Sequence, residues 1–406
     1  MRPIEEVRAQ VLSTVRRLGS ERIDFSDAMG RVLAEPVVAP HDVPNFANSA
    51  MDGFAVRSVD VRSPGGVLEI VENVAAGQVA TRSVGPGQAI KIMTGAPMPE
   101  GADTVVRVED TAEDDQKVEI ATAVEPGTSV RPPGGDVEAG STVFPAGTRL
   151  TPAHLGVLAT IGVVRPAVSI RPRVAVMSTG DELVAPDTAV LAPGMIRDSN
   201  RPMLASMVTE TGAQVVDMGR IPDDADSLRA ALGHAASQTD VIVTSGGVSM
   251  GEYDVIKMVL SKEAKVDFFQ VAMKPGKPQG FGTLGGVPFF GLPGNPVSVL
   301  VSFEQFVRPA VLAMQGADAL LRPRVMGVAG EDLVSDPAKE EFVRVRFVDD
   351  ETMPRVTQTG GRGSHVLSGL ANAHAFAVLP VGVGFVAEGD PVILELFRAS
   401  ETRLAP

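Results

Sequence analysis

The chain contains no cysteine. That absence excludes disulfides, thiolate metal sites, cysteine nucleophiles and iron–sulfur clusters, so any catalytic group must present an oxygen or a nitrogen. No uninterrupted apolar run approaches the roughly 18 residues of a membrane-spanning helix. The amino-terminal MRPIEEVRAQ carries both signs of charge and lacks a signal-peptide apolar core. A cytoplasmic protein without a membrane partner is expected. An excess of basic residues is lacking too, since 36 Lys and Arg stand against 50 Asp and Glu, a formal net charge of −14. Phosphate backbones require a basic footprint, so no nucleic-acid partner is expected. A small anionic ligand remains admissible where lysines, helix amino termini or a bound cation give local relief.

What is present fits a globular protein: 44% hydrophobic and 21% charged residues over 406 positions, enough for two to four domains. Apolar spacing predicts a helix over 4–18. From about 36 to 150 come short β-rich runs, GVLEIV, QAIKI and TVVRVED, punctuated by Pro and Gly, which read as an inserted β domain. A helix in PAHLGVLATIG and the Pro-flanked RPAVSIRPR read as a linker. Strands and helices then alternate from RVAVMS to the long apolar helix PVSVLVSFEQFVRPAVLAM, predicting a largely parallel, doubly wound α/β sheet. Beyond about 321, alternation in FVRVRFV and Gly-rich turns predict a small β barrel or sandwich. The expected divisions are 1–45 with 140–171 as a helical linker domain, 46–139 as the inserted β domain, 172–320 as the α/β domain and 321–406 as the terminal barrel.

Open parallel sheets bind ligands beyond the carboxyl ends of their strands. In this sequence STGDEL, RIPDD, SGGVSMGEYD, KPGKP and PGNPVS all follow predicted strands. Each loop has a plain structural reading. Ser178, Thr179, Gly180 and Asp181 suit a helix cap, Asp223 with Asp224 suits another, and Asp254 a third; Gly246-Gly247 suits a turn, and Lys274 and Lys277 suit solvated lysines. Five such loops on one rim favour a site. Asn295 suits an N-cap and Pro296 the first helical turn, so backbone N–H groups and the Ser298 hydroxyl would face an anion. Ser245, Gly246 and Gly247 would offer more amides, with Lys274 and Lys277 adding positive charge. Glu182, Asp223 and Asp254 would hold a hard cation such as Mg2+ or act as general bases.

The blocks PNFANSAMDGFAV (44–56), KIMTGAPMPEGADTVV (91–106), RPPGGDV (131–137), STGDEL (178–183), SGGVSMGEYD (245–254), KPGKPQGFG (274–282) and LPGNPVS (292–298) resemble one family over nearly the whole chain. It is the molybdopterin molybdenumtransferases, comprising the bacterial MoeA proteins and the E domain of plant and animal relatives. The resemblance implies a molybdopterin-binding α/β domain within an elongated four-domain homodimer that shares its active site between subunits. It implies that adenylylated molybdopterin and molybdate are the substrates, that AMP is released, and that other pathway proteins, molybdopterin adenylyltransferase among them, are partners. It also marks Asp52, Thr94 and Asp136 in the inserted domain, and Glu182, Asp223, Asp254, Lys274 and Lys277 in the α/β domain. In the terminal domain it marks Arg344 and Ser364 as holding molybdate; Arg344 is equally readable as an exposed residue of an alternating strand. Two rival functions are an adenylyltransferase of the same α/β fold and a receptor scaffold. The first typically carries a GGTG loop and lacks flanking β domains, and the second carries a fused adenylyltransferase domain and a long linker.

Overall fold

The computed structural model describes residues 1–248, 255–348, 353–361 and 363–397. Its inserted β unit is a six-stranded sheet in the spatial order Thr104–Arg107, Gly53–Val56, Gln88–Ile92, Gly66–Val74, Lys117–Ile120, Thr111–Asp114. Both faces are covered: Phe54 and Val56 pack with Leu68, Val106 and Ile120, whereas Ala55 packs with Val74, Ile90 and Val105 on the other side. This two-sided burial explains why the Gly53–Val56 strand is apolar at every position and buried throughout. Glycine is required at Gly53, where a Cβ would lie 1.9 Å from the Val106 carbonyl oxygen.

The chain enters and leaves this unit through paired segments. Ser20–Arg22 pairs with Ala167–Ser169, Val37–Val38 with Thr142–Phe144, and Asn48–Ser49 with Val130–Arg131, all antiparallel. Leu33, Leu150, Leu158, Ile161 and Val168 form a small core between them, with helix Pro152–Thr160 supplying Leu158. The first helix ends at Thr14, four residues before its expected end. It buries Ile4, Val7 and Val11 against Val174, Phe303 and Phe306 of the α/β layer.

The second six-stranded sheet runs Gln214–Ile221, Arg173–Thr179, Val241–Ser245, Val287–Leu292, Pro278–Leu284, Lys265–Gln270. The first four strands are mutually parallel and the Pro278–Leu284 strand is antiparallel to both of its neighbours. Alternate residues face opposite helical layers. Val174 and Val176 meet Leu204 and Val208 of helix Asn200–Glu210, while Ala175 and Met177 meet Leu228 and Leu232 of helix Ala225–Gln238. Each fully buried Val, Leu or Met among these contributes about 1.5–3 kcal/mol, which makes this double layer the rigid base of the rim loops.

Two details depart from the sequence pattern. PQGFGTL, which the sequence pattern assigns to no element, is a strand, and the strand expected over VDFFQVAM stops at Gln270 because Met273–Lys274 pairs instead with Glu340–Glu341 of the terminal domain. The expected single helix over 296–314 carries a π segment at Phe303–Val307 between helices Pro296–Ser302 and Arg308–Met314. Glu304 in that segment is buried and meets Arg322 at 2.9 Å. Although this helix is long and apolar enough to cross a bilayer, 89% of its apolar window is buried in the α/β core.

In the terminal domain, strands Glu340–Phe347, Arg355–Gln358, Arg324–Ala329, Pro391–Leu396 and Ala375–Leu379 close into a ring, because Glu340–Phe347 pairs with both Arg355–Gln358 and Ala375–Leu379. A barrel rather than a sandwich is the result. Its interior holds Val345, Val356, Ala377, Leu379 and Leu394.

Candidate functional site

A cavity of about 660 Å³ opens between the carboxyl edge of the α/β sheet and the barrel. From the rim loops, Thr179, Gly180, Glu182, Asp223, Gly246, Gly247, Lys274, Lys277, Asn295 and Ser298 line it, and the barrel domain adds Arg344 and Ser364. Ser178, Ser245 and Pro296, expected to contact the ligand, are not among the lining residues. The Ser178 hydroxyl donates instead to Asp198 at 2.6 Å, because strand alternation turns it to the face opposite Thr179. Asp254 lies outside the described residues.

The floor is shaped by glycine. Gly246 has φ +91°, and a Cβ there would stand 2.7 Å from the Thr179 carbonyl; Gly247 has φ +70°, and its Cβ would strike Ile256 at 2.5 Å. A side chain at either position would disturb the floor. The buried Thr179 hydroxyl has no partner among the described residues, so a ligand is the natural group to satisfy it.

Charge is divided across the cavity. Glu182 and Asp223 follow the first two strands at one edge of the sheet, whereas Lys274 and Lys277 follow the strand at the other. The Asp-Asp pair after the Gln214–Ile221 strand separates into two roles. Asp224 caps helix Ala225–Gln238, accepting from the Asp226 and Ser227 amides at 3.1 and 2.8 Å, while Asp223 faces the cavity. Burial pushes the Asp223 carboxyl above the usual range; a backbone hydrogen bond from Asp181 opposes this and the charges of Asp181 and Glu182 add to it.

At the other end Lys277 is exposed and forms no ion pair among the described residues. Lys274 Nζ lies 3.0 Å from Glu341 Oε1. Arg344 is not an exposed strand residue: it is only 5% accessible, and the burial pattern of Glu340–Phe347 does not alternate because the strand is walled by barrel and α/β layer together. Its guanidinium donates to the carbonyls of Val366 (2.6 Å), Gly363 (3.2 Å) and Gly361, which holds the loop carrying Ser364. Burial lowers the proton affinity of Arg344 below the ordinary guanidinium value.

Asn295 occupies the N-cap position of the Pro296–Ser302 helix, but its side chain makes no cap hydrogen bond. Its amide reaches across to Ser364 Oγ at 2.9 Å, and the Val297 N–H, expected to be free for an anion, donates to the Ser364 carbonyl at 3.0 Å. The terminal domain therefore occupies part of the amide site that sequence alone assigned to the ligand.

The inserted-domain residues are apart from this cavity. Asp52 Oδ1 accepts both the amide and the hydroxyl of Thr94 at 2.7 Å, which holds its carboxyl below the usual range. Asp136 hydrogen-bonds through its backbone to Val43 and shows no bond to Asp52 or Thr94. None of the three lines the cavity within the chain.

Sequence reasoning missed Glu341, Val248, Phe342, Val343 and Gln358, which also line the cavity. Glu341 immediately precedes the FVRVRFV run, from which only Arg344 was singled out. The signal that would have found it is the register of Met273–Lys274 on Glu340–Glu341, which no local pattern reveals.

Such an assembly defines a multidomain α/β protein in which a doubly wound sheet and a small barrel enclose a cavity carrying opposite charges at its two sides. Residues 2–162 match the MoeA N-terminal region (domain I and II), 175–313 match the probable molybdopterin binding domain, and 326–397 match the MoeA C-terminal region (domain IV). A Mycobacterium tuberculosis protein named molybdopterin molybdenumtransferase 2 is 40% identical over 96% of this chain and 98% of its own length. The molybdopterin molybdenumtransferase of a Nostoc species is 39% identical over 93% of this chain and 89% of its own. The crystal structure of the molybdopterin biosynthesis moeA protein from Pyrococcus horikoshii superposes with a TM-score of 0.86 at 28% identity, covering 98% of this chain and all of that one. The chain belongs to the MoeA family of molybdenum cofactor biosynthesis proteins.

Proposed function

We propose that the chain is a molybdopterin molybdenumtransferase, which takes molybdenum from molybdate into adenylylated molybdopterin and releases AMP. The observation that carries this reading is the division of charge in one cavity, with Glu182 and Asp223 on one side and Lys274, Lys277 and Arg344 on the other. An oxyanion suits the cationic side. A phosphoanhydride with its own cation suits the acidic side.

Lys277 supplies an exposed ammonium with no ion pair among the described residues, and Arg344 a buried positive charge with the Ser364 loop fixed to it. In this reading those groups hold the oxyanion for transfer to the dithiolene of the pterin. Glu182 and Asp223 would hold Mg2+, together with Asp254, which lies outside the described residues. Glu182 and Asp223 are oxygen donors on one side of the cavity, which suits a hard cation, and burial with the charges of Asp181 and Glu182 disfavours a bare Asp223 carboxylate. When bound, the cation would offset phosphate charge during anhydride cleavage.

Asp52, Thr94 and Asp136 belong to this reading only if a second subunit supplies them. A homodimer with a shared site does so, since an isologous interface places the inserted domain of each subunit against the α/β domain of the other. The reading is completed by a cytoplasmic setting and by hand-over from a molybdopterin adenylyltransferase. An adenylyltransferase activity for this chain is less suitable, because two charged lining residues, Glu341 and Arg344, come from the barrel.

The test supplies adenylylated molybdopterin, molybdate and Mg2+ and follows AMP and metal insertion together. Both should appear, in equal amounts. AMP formation with no dependence on molybdate would contradict the reading.

A further inference from the structure

Glu341 is an unexpected residue to find in an oxyanion cavity, since a bare carboxylate would repel the ligand. Its side chain is only 7% exposed, yet it lines the same cavity as Lys277, Arg344 and Ser364. Both of its oxygens are engaged. Oε1 meets the Lys274 ammonium at 3.0 Å, and Oε2 accepts the Asp336 N–H at 3.3 Å. Backbone pairing of Met273–Lys274 with Glu340–Glu341 places the two residues side by side. Lys274, 45% exposed, keeps two of its three donors for other partners.

The proton chemistry of oxyanions gives this pair a purpose. A free carboxylate accepts a hydrogen bond from a protonated oxyanion, such as hydrogen phosphate, and repels one that has no proton to give. A carboxylate covered by an ammonium does neither; the ammonium then donates to the oxyanion. We infer that the Lys274–Glu341 pair is a filter for fully ionised tetrahedral oxyanions, so that molybdate, tungstate and sulfate enter and hydrogen phosphate is disfavoured. The inference rests on the reading of this cavity as the molybdate site. Lys274 acts on the ligand directly, and Glu341 acts through Lys274 as a positioning and charge-setting residue.

The experiment measures equilibrium molybdate binding to the intact protein and its competition by sulfate and by inorganic phosphate. At about pH 8 carboxylates are ionised and phosphate still carries one proton. In the unsubstituted protein sulfate should compete better than phosphate. Lys274→Ala uncovers Glu341, so molybdate should weaken and the order of the competitors should invert, with phosphate favoured by on the order of tenfold, the worth of one charge-assisted hydrogen bond. Lys274→Ala with Glu341→Gln should abolish the inversion and recover part of the molybdate affinity, which a purely structural role for Glu341 would not do. Lys274 is half exposed, and thermal melting checks that each variant is folded. Parallel loss of all three anions in Lys274→Ala, or equal competition by sulfate and phosphate in the unsubstituted protein, overturns the filter while leaving the molybdate site intact. Absence of any molybdate binding overturns the filter and the functional reading together.

Discussion

Asn295 at the head of an α/β-domain helix donates its side-chain amide to Ser364 of the terminal domain at 2.9 Å, and the Ser364 carbonyl in return accepts the Val297 N–H of that helix at 3.0 Å. The two domains are thus stitched together at the wall of the cavity. Because the backbone half of the stitch survives mutation, Ser364→Ala removes one neutral hydrogen bond, worth about 1 kcal/mol, and the hydroxyl offered to the ligand. Half-saturating molybdate should rise by about fivefold or more with little change in melting temperature. A large loss of stability with unchanged molybdate dependence would make Ser364 a structural residue only.

Arg344 holds the Ser364 loop through three carbonyls from a buried position. Lysine cannot reproduce a planar fork, so Arg344→Lys should behave nearly as badly as Arg344→Ala. Each lost guanidinium–carbonyl bond costs about 1 kcal/mol, since Val366 and Gly363 are only half-buried and Gly361 is exposed. Amide exchange in the segment bearing Gly361, Gly363 and Val366 should accelerate in both variants, and molybdate affinity should fall. Wild-type exchange in Arg344→Lys would show that charge alone is used.

For Asp223 the sign is opposite to that of a paired carboxylate. Its folded-state proton affinity is raised, by burial first and by Asp181 and Glu182 as well, so its stabilising contribution is complete below the ordinary carboxylate value and is lost as pH climbs through the raised one. Asp223→Asn should therefore melt higher than the parent at neutral pH, with the advantage vanishing in acid below about pH 4. Mg2+ should raise the melting temperature of the parent and have a smaller effect on the variant. A variant that melts lower at neutral pH would contradict this assignment.

How far the sequence revealed these features depends on the range of the interaction. Apolar runs located the four parallel strands of the α/β layer to within a residue or two, because burial on both faces leaves stretches such as Val241–Val243 apolar throughout. The rim rule then placed Glu182, Asp223, Lys274 and Lys277 around one cavity, since loop position follows from strand direction. What remained hidden is tertiary. The Pro278–Leu284 strand begins inside a Pro- and Gly-rich block that reads as loop, and the register joining Lys274 to Glu341 links residues 67 positions apart in separate domains. Asn295 likewise looks like a cap and is one by position, yet its side chain is taken by Ser364.

Gly246 has φ +91° and leaves no room for a Cβ, which would lie 2.7 Å from the Thr179 carbonyl. Gly246→Ala forces either a left-handed alanine, costing roughly 1–2 kcal/mol, or movement of the Thr179 loop. Activity should fall at least tenfold while the far-ultraviolet circular dichroism is unchanged. Retained activity would mean that the floor adapts more easily than its geometry indicates.

A site shared between subunits has a separate test. Asp52→Ala and Asp254→Ala chains, each inactive alone, should regain activity as an isolated heterodimer, because one composite site then contains both intact clusters. A folded heterodimer that stays inactive would remove Asp52, Thr94 and Asp136 from the site.

The account turns on where the oxyanion binds. Crystals of the intact protein soaked in molybdate or tungstate, measured at a wavelength where the metal scatters anomalously, should show one strong peak per subunit in the cavity, within contact of Lys274, Lys277 and the Arg344–Ser364 wall. A peak confined to the Glu182–Asp223 side, or none in the cavity at concentrations that saturate turnover, would contradict the assignment of the cationic side to molybdate.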